Sequence, residues 1–440
     1  MVACNTIVVW GFVPICVARI DQAKKSKMSN SDVETVVIGG GAAGLAAARR
    51  LHQAGVKCLV VEGRPRLGGR AWTVTDSSGY ALDLGCGWLH SADRNPWVKV
   101  AEEQGRTIDK TPPPWRRRSL SHGFPEGGQR EFLMAQHEFF AKVSERAQKE
   151  PDVSVGSLLP PDGRWNNLIN AVGTYISGAE LNRVSARDFD NFEDTEVNWR
   201  VVEGYGATVA ASGASLELAL DCLVQRIDHS GKRLKIETAK GAISADRAIV
   251  TLPTAILAEA DKLFAPFLPE KMQAAQNLPL GLADKLFLSL EGAEEFEADS
   301  RIFGATDRIA TAAYHLRPFG RPQIEAYFGG RLAADLEAAG EGAFFDFALA
   351  ELTRQLGSTF ARRVKPIQIH SWGSDPFARG SYSYAVPGMA SRREKLASPV
   401  DDRLFFAGEA CSRGDFSTAH GAFITGVIAA EQALRALAQR

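Results

Sequence analysis

The sequence has little of what marks disulfide-rich, metal-binding or nucleic-acid-binding proteins. Its 440 residues include only six cysteines, none of them in a CxxC pair, so we expect neither a disulfide framework nor a metal site. With 51 basic and 52 acidic residues the formal net charge is -1, and no overall charge attracts nucleic acid or an anionic membrane. Because this cysteine usage fits a reducing compartment, we predict a cytoplasmic protein.

A long apolar segment is also missing. The apolar run at 7–18 is shorter than the roughly 20 residues that span a bilayer. Its basic residues follow it instead of preceding it, which is the reverse of a secretory signal. We predict that 1–32 is an N-terminal extension, either disordered or the product of an over-called start, and we expect no membrane association.

The sequence does contain a strand, a glycine-rich turn and a helix in the order that binds a dinucleotide. Apolar residues 36–38 predict a buried parallel strand, 45–53 predict a helix, and 57–61 predict a second strand. Three glycines between the first strand and the helix allow a tight turn and close approach to a pyrophosphate: Gly39, Gly41 and Gly44. The helix N-terminus would then face the phosphates.

The residues after the second strand favour FAD over NAD. Glu62 stands about 20 residues past the glycines, where a carboxylate accepts hydrogen bonds from ribose hydroxyls. Gly68 and Gly69 let the chain pass the diphosphate, and Arg70 supplies permanently charged donors. The same stretches add three candidate cofactor-binding residues: Ala43, Gly63 and Arg64.

A second strand-turn-helix pattern closes the chain. Residues 404–407 predict a short buried strand, and an apolar-faced helix is predicted over 419–437. Between them, Gly408 and Glu409 follow the strand, and Glu409 could bind hydroxyls of the cofactor. The helix start at Ala419 could aim backbone N–H groups at a flavin ring that becomes anionic on reduction.

The middle of the chain predicts an α/β protein with interleaved domains. Helix-like spacing is found at two places, 131–148 and 165–181, and further strands are predicted at 222–227, 234–238, 247–252, 286–290, 323–328 and 364–370. We predict a cofactor domain made of 33–105, 200–262 and 362–440. We assign 106–199 and 263–361 to an α+β substrate domain.

Four motifs in order resemble the flavin-containing amine oxidase family, which includes monoamine oxidases, polyamine oxidases and flavin-dependent lysine demethylases. They read RPRLGGRAWT, LDLGCGWLH, SWGSDPFARGSYSYAVPG and FFAGEACSRGDFSTAHGAF. The resemblance runs from about residue 33 to the end. It implies a Rossmann-like FAD domain of the glutathione-reductase type, interleaved with a substrate domain, with the flavin at their junction.

The resemblance also implies site residues. It places Val224 at the adenine of the cofactor. Four further residues are placed near the flavin: Gly85, Gly87, Trp88 and Trp372. Lys285 matches the lysine that holds a water against flavin N5, although by the sequence alone it reads as a surface lysine opening a strand.

The resemblance bears on the substrate side as well. Ser381 stands where monoamine oxidases carry the cysteine that bonds the flavin, so we expect noncovalent FAD. Tyr382 matches one wall of an aromatic cage for the amine, whereas the opposite wall falls on Thr418 and leaves the cage half open. His90 matches a histidine that contacts a substrate nitrogen in several polyamine oxidases; a structural histidine is equally compatible with the sequence.

We therefore predict an FAD-dependent amine oxidase that uses a primary amine or a polyamine and molecular oxygen. Hydride would leave the carbon next to a neutral nitrogen for the flavin, water would hydrolyse the imine to an aldehyde, and oxygen would yield hydrogen peroxide. A flavin desaturase of the carotenoid or porphyrinogen oxidase type, an L-amino acid oxidase and a noncatalytic flavin-binding protein are the alternatives. A homodimer is possible.

Overall fold

The computed structural model describes residues 31–117 and 122–438. The apolar run at 7–18, and with it nearly all of the predicted extension, lies outside these residues. The helices are α1 Ala42–Gln53, α2 Pro96–Glu103, α3 Gly128–Ala147, α4 Asn166–Ser177, α5 Ala186–Asp190, α6 Tyr205–Ala211, α7 Thr254–Leu257, α8 Pro269–Gln276, α9 Gly330–Ala339, α10 Glu341–Leu356, α11 Arg392–Ala397 and α12 Ala419–Ala438.

The strands are β1 Ser31–Ile38, β2 Cys58–Val61, β3 Thr73–Thr75, β4 Ala81–Asp83, β5 Ile108–Asp109, β6 Arg200–Val201, β7 Leu218–Ala219, β8 Val224–Asp228, β9 Leu234–Thr238, β10 Gly241–Val250, β11 Phe264–Ala265, β12 Leu280–Gly281, β13 Ala283–Leu290, β14 Ser300–Phe303, β15 Ala313–Leu316, β16 Gln323–Gly329, β17 Val364–Ile369, β18 Tyr382–Ser383 and β19 Leu404–Phe406.

The larger sheet has the order β11-β8-β9-β10-β1-β2-β7, with β19 added beside β10. Its central strands β2, β1, β10 and β19 are parallel neighbours. Helices α1 and α12 pack together over one face, in a core that includes Val37 of β1 and Phe405 of β19. Since the register aligns Ile38 with both Val61 and Val250, the segments that leave these strands emerge at one edge of the sheet.

The smaller sheet is antiparallel, with the order β14-β15-β16-β13-β17. Its core includes Phe328 of β16 and Phe344 of α10, whose rings meet edge to face. A third apolar cluster joins α3, α4 and the segment around α5. Strand β17 belongs to this smaller sheet, whereas our boundary at 362 assigns it to the cofactor domain. The domain boundaries themselves stay a prediction.

The predicted α/β fold with a Rossmann-like parallel sheet is confirmed. One element is shorter than we predicted, because α4 ends at Ser177 instead of continuing to 181. Gly178 adopts a left-handed conformation with φ of 67° and closes the helix. Within the described residues, none of the helices combines the length and the apolar character needed to cross a membrane.

Candidate functional site

The glycines of the turn after β1 are there for two different reasons: some are required by the protein's own packing, and one leaves open space beside the turn. Gly39 has φ of +109°, and a Cβ built on Gly44 would lie 1.9 Å from the Gly39 carbonyl oxygen. These two glycines are required by the turn and by the packing of α1. A Cβ on Gly41 would meet no protein atom closer than 3.8 Å, so glycine at this position leaves room for something other than the chain.

The start of α1 is suited to an anion. Gly41 is the N-cap and provides no side-chain hydrogen bond, and the first turn, which includes the predicted Ala43, carries no acidic residue. The helix therefore directs unneutralised N–H groups toward the open space. Close by at the same sheet edge lies a small open pocket, lined among others by Arg70, Thr251, Gly408 and Glu409.

Glu62 lies directly after β2 and is buried. One carboxylate oxygen accepts the Gly40 N–H at 2.7 Å and the other accepts the Arg64 N–H at 2.8 Å. Since a carboxylate offers about four acceptor positions, both oxygens can still accept from ribose hydroxyls. The predicted Val224 opens β8, and the neighbouring Cys222 N–H donates to the Glu62 carbonyl, so this segment lies beside the same end of the site.

The two predicted arginines have partners within the protein. Arg64 forms a bidentate ion pair with Asp375, with N–O distances of 2.7 and 2.6 Å. Burial opposes the ionised form, yet the His370 and Arg64 hydrogen bonds hold the pKa of Asp375 below its usual range. Gly63 fits against the ring of Phe377, which a Cβ would approach to 2.6 Å. The sequence reasoning missed Asp375, although it lies in a quoted motif.

Arg70 pairs with Glu409 at 2.9 Å and donates to the Ser381 carbonyl at 2.7 Å. Glu409 also accepts from the Ser383 hydroxyl at 2.6 Å. Burial would raise the pKa of Glu409, but Arg70 and these hydrogen bonds keep it below its usual value. Gly69 has φ of +59°, which allows the chain to run past Gly41. The segment 68–70 therefore contacts the glycine-rich turn after β1 through Gly69 and the C-terminal segment through the Arg70–Glu409 ion pair.

Four residues implied by the family resemblance are close together. A Cβ on Gly85 would lie 3.2 Å from the Trp372 ring, and a Cβ on Gly87 would lie 3.1 Å from Lys285 Nζ. The buried Trp372 ring donates to the Leu84 carbonyl at 3.0 Å. The segment after β4 therefore connects Trp372 with the lysine, and the lysine is buried instead of lying on the surface.

Lys285 is held as a buried cation. Its Nζ donates to the Asp83 carbonyl at 3.1 Å and lies 3.2 Å from a carboxylate oxygen of Glu325. Burial alone would lower its pKa, but the Glu325 and Asp83 charges outweigh burial and keep the pKa above its ordinary value. The lysine therefore stays protonated at neutral pH.

Tyrosines surround the other end of this region. Tyr382 donates its hydroxyl to the Tyr175 carbonyl at 2.5 Å and lies 3.0 Å from the Tyr327 hydroxyl. Tyr327 is paired with Lys285 across β13 and β16. Burial raises the pKa of both Tyr327 and Tyr382, so both phenols are neutral. Tyr327 is thus an aromatic neighbour of Tyr382 that the sequence analysis did not find.

Thr418 is engaged in hydrogen bonds to the neighbouring backbone. It immediately precedes α12, its hydroxyl oxygen accepts the Gly421 N–H at 2.9 Å, and the hydroxyl donates to the Asp415 carbonyl. This is the arrangement of a helix N-cap. The following Ala419 carbonyl accepts the Trp97 ring N–H. The predicted role of Thr418 in the cage stays a prediction, and its hydroxyl is already occupied.

His90 and Trp88 belong to an aromatic group. The Trp88 ring meets Trp115 edge to face at 4.5 Å and stacks on His315 at 6.3 Å, and His90 lies 6.3 Å from Trp115. His90 Nδ1 lies 2.6 Å from the Asn198 amide oxygen. Burial lowers the pKa of His90, so the imidazole is neutral at neutral pH. Ser381 bridges to β13, since its hydroxyl exchanges hydrogen bonds with the Ala283 N–H and carbonyl.

The residues that sequence reasoning missed share one property: they approach the site through strand pairing or distant contacts. Glu325 is the one charged residue of the largely buried strand β16, which is a signal the sequence contains. Tyr327 and Asn198 have no comparable local signal.

Comparisons with known proteins identify the family of this chain. A profile of the flavin-containing amine oxidoreductases matches residues 42–106 and 160–434. Polyamine oxidase 2 of Arabidopsis thaliana is 29% identical over 92% of this chain and 89% of its own length. Lysine-specific histone demethylase 2 of Homo sapiens is 25% identical over 89% of this chain and 52% of its own length.

A solved structure of putrescine oxidase bound to putrescine shares the fold, with a TM-score of 0.77 at 18% identity, over 92% of this chain and all of that one. The family predicted from the motifs is confirmed, and with it a flavin-dependent enzyme. Since the family profile covers most of the sequence, this chain belongs to the flavin-containing amine oxidoreductases and is an amine oxidase.

Proposed function

We propose that this protein is an FAD-dependent oxidase of a polyamine or another primary amine, with noncovalently held FAD and oxygen as the acceptor. The names of its relatives support a polyamine, since they include polyamine oxidases and a putrescine oxidase. Serine at 381 supports noncovalent binding, because a hydroxyl engaged with β13 replaces the reactive thiol. Cytoplasmic location and a homodimer stay predictions.

One observation carries the proposal: a buried, protonated Lys285 lies beside Gly87, and its partner across the β13–β16 pairing is Tyr327, which contacts Tyr382. Because Gly87 has no side chain, the Lys285 ammonium beside it can face the edge of a flavin ring. The tyrosine rings next to it offer apolar faces to the carbon chain of an amine.

The chain's own residues fit FAD. Gly41 and the start of α1 would take the pyrophosphate, Glu62 the ribose, Val224 the adenine through its backbone, and Arg70 with Glu409 the flavin side. When bound, FAD supplies the electron acceptor, taking two electrons from the carbon next to the nitrogen and passing them to oxygen to give hydrogen peroxide.

The protein's part is to bind the amine in its neutral form and to orient it. Buried aromatic walls disfavour a charged ammonium by desolvation and so lower the pKa of the bound amine. A polyamine carries further nitrogens that stay charged. The neutral imidazole of His90 does not repel such a cationic nitrogen, whereas a charged imidazole would. The released imine is then hydrolysed by water to an aldehyde and a smaller amine or ammonia.

The proposal is tested by product analysis in air. Purified protein reconstituted with FAD is mixed with benzylamine, putrescine, spermidine and spermine, and hydrogen peroxide and aldehyde are measured together. We expect equal amounts of the two products with at least one of the aliphatic polyamines. Peroxide with none of the amines would contradict the proposal and would favour a flavin desaturase.

A further inference from the structure

The positive charge of Lys285 is buried, and it is paired with one carboxylate, that of Glu325, which lies outside the four family motifs. The lysine side chain is 7% exposed and the Glu325 side chain 18% exposed, with 3.2 Å between Nζ and the carboxylate. The strand register explains the contact: Lys285 pairs with Tyr327, and Glu325 lies two residues earlier on the same face of β16.

The position of Glu325 is unfavourable unless the carboxylate has a partner. Its side chain is only 18% exposed, and a carboxylate with so little contact with water is stable only when paired or hydrogen bonded. A small open pocket touches Glu325 together with Asp83, Gly87 and Trp88. Glu325 therefore lines this pocket and contacts Lys285 at the same time.

The other ionisable groups that face Lys285 support its protonated form less than Glu325 does. They lie on β4, on the segment after it and on β16: Asp83, Cys86, His90 and Tyr327. Burial raises the pKa of the Cys86 thiol to about 12, so it is neutral. The Asp83 carboxylate already accepts from the Tyr205 and Gly206 N–H groups and from the Thr73 hydroxyl.

We propose that Glu325 is a positioning residue that keeps Lys285 protonated and directed toward Gly87, beside the place that the proposed function gives to the flavin ring. This inference rests on the proposed function. Oxygen gains negative charge as it takes up electrons, and a fixed cation nearby stabilises that charge. Without Glu325, desolvation acts on Lys285 with less opposition, and the lysine loses its proton at a lower pH.

The test compares Glu325→Gln with wild type and with Lys285→Met. Each FAD-loaded protein is reduced anaerobically with dithionite and mixed with oxygenated buffer from about pH 6 to about pH 9. We expect a flat profile for wild type, a slow and flat profile for Lys285→Met, and a fall of about tenfold with rising pH for Glu325→Gln. Glu145→Gln is the matched control, because Glu145 pairs with Lys149 on the surface.

A second readout uses the protein without FAD. In Glu325→Gln the Asp83 charge alone opposes the burial penalty on protonated Lys285, so we expect the folded-state pKa to fall below the unfolded value and stability to increase with pH. In the wild type the pKa of Lys285 is raised, so the contribution of this lysine to the stability of the fold stays constant until above about pH 10. The difference in Tm between the two apoproteins should therefore narrow as pH rises from about 6 to about 9.

Three results would overturn the inference: flat reoxidation by Glu325→Gln, a Tm difference that does not change with pH, or wild-type reoxidation by Lys285→Met. Should Glu325→Gln fail to fold, Glu325→Asp decides the question, because it keeps the charge at a longer distance. It should show a smaller fall in the same direction, and a flat profile would overturn the inference. Because dithionite replaces the amine, these outcomes are independent of whether any amine is a substrate.

Discussion

Replacing Gly41 with alanine should weaken FAD binding while the protein stays folded. The backbone there has φ of -85°, which alanine accepts, and the new Cβ would meet no protein atom closer than 3.8 Å. Alanine is a poorer N-cap than glycine, so we expect a loss of at most about 1 kcal/mol of apoprotein stability. The Cβ would occupy the space that we assign to the pyrophosphate. Losing one charge-assisted hydrogen bond there costs about 1.5–3 kcal/mol, or roughly 10- to 150-fold in affinity.

The matched variant is Gly44→Ala, in the same turn. Its Cβ would lie 1.9 Å from the Gly39 carbonyl oxygen, so we expect loss of fold together with loss of FAD. Fluorescence titration of each apoprotein with FAD, combined with its Tm, separates the two effects. An unchanged Kd for FAD in Gly41→Ala would refute the assignment of this space to the cofactor.

Three further predictions follow from the same contacts. Acid precipitation of the purified holoprotein should leave the flavin in the supernatant, whereas flavin in the pellet would show a covalent bond. Thr418→Ala should cost about 1 kcal/mol by removing the cap that binds the Gly421 N–H, with a lower Tm and little change in KM; a raised KM at unchanged Tm would instead favour the cage role. Asp375→Asn breaks a buried ion pair with Arg64 and should cost about 3–5 kcal/mol at neutral pH. Because the folded-state pKa of Asp375 is depressed, wild type holds this stability above about pH 4 and loses it as pH falls further, so urea unfolding should show the two proteins converging in acid.

The sequence is sufficient for the cofactor turn because that turn depends on local rules. Hydrophobic periodicity and glycine spacing predict β1, α1 and β2, and the structure has them at Ser31–Ile38, Ala42–Gln53 and Cys58–Val61. The end of α4 was less predictable. Apolar spacing continues past Ser177, but the left-handed Gly178 stops the helix, and a glycine inside an apolar pattern does not reveal its conformation.

The environment of Lys285 could not be predicted from the sequence, because it is created by pairing between distant segments. Glu325 and Tyr327 reach the lysine only through the register of β13 and β16, and a shift of one residue would turn both away. Motif resemblance identifies Lys285 itself but not its partners. The contacts that set its charge are nonlocal, and the structure is needed to find them.

An amine oxidase of this family must pass the electrons of its substrate to the bound flavin. The most direct measurement is the flavin absorbance of the FAD-loaded protein after anaerobic mixing with spermine, spermidine, putrescine or benzylamine. We predict that the yellow absorbance bleaches with at least one of the aliphatic polyamines and returns when oxygen is admitted. A bound flavin that dithionite reduces but none of these amines bleaches would contradict the account.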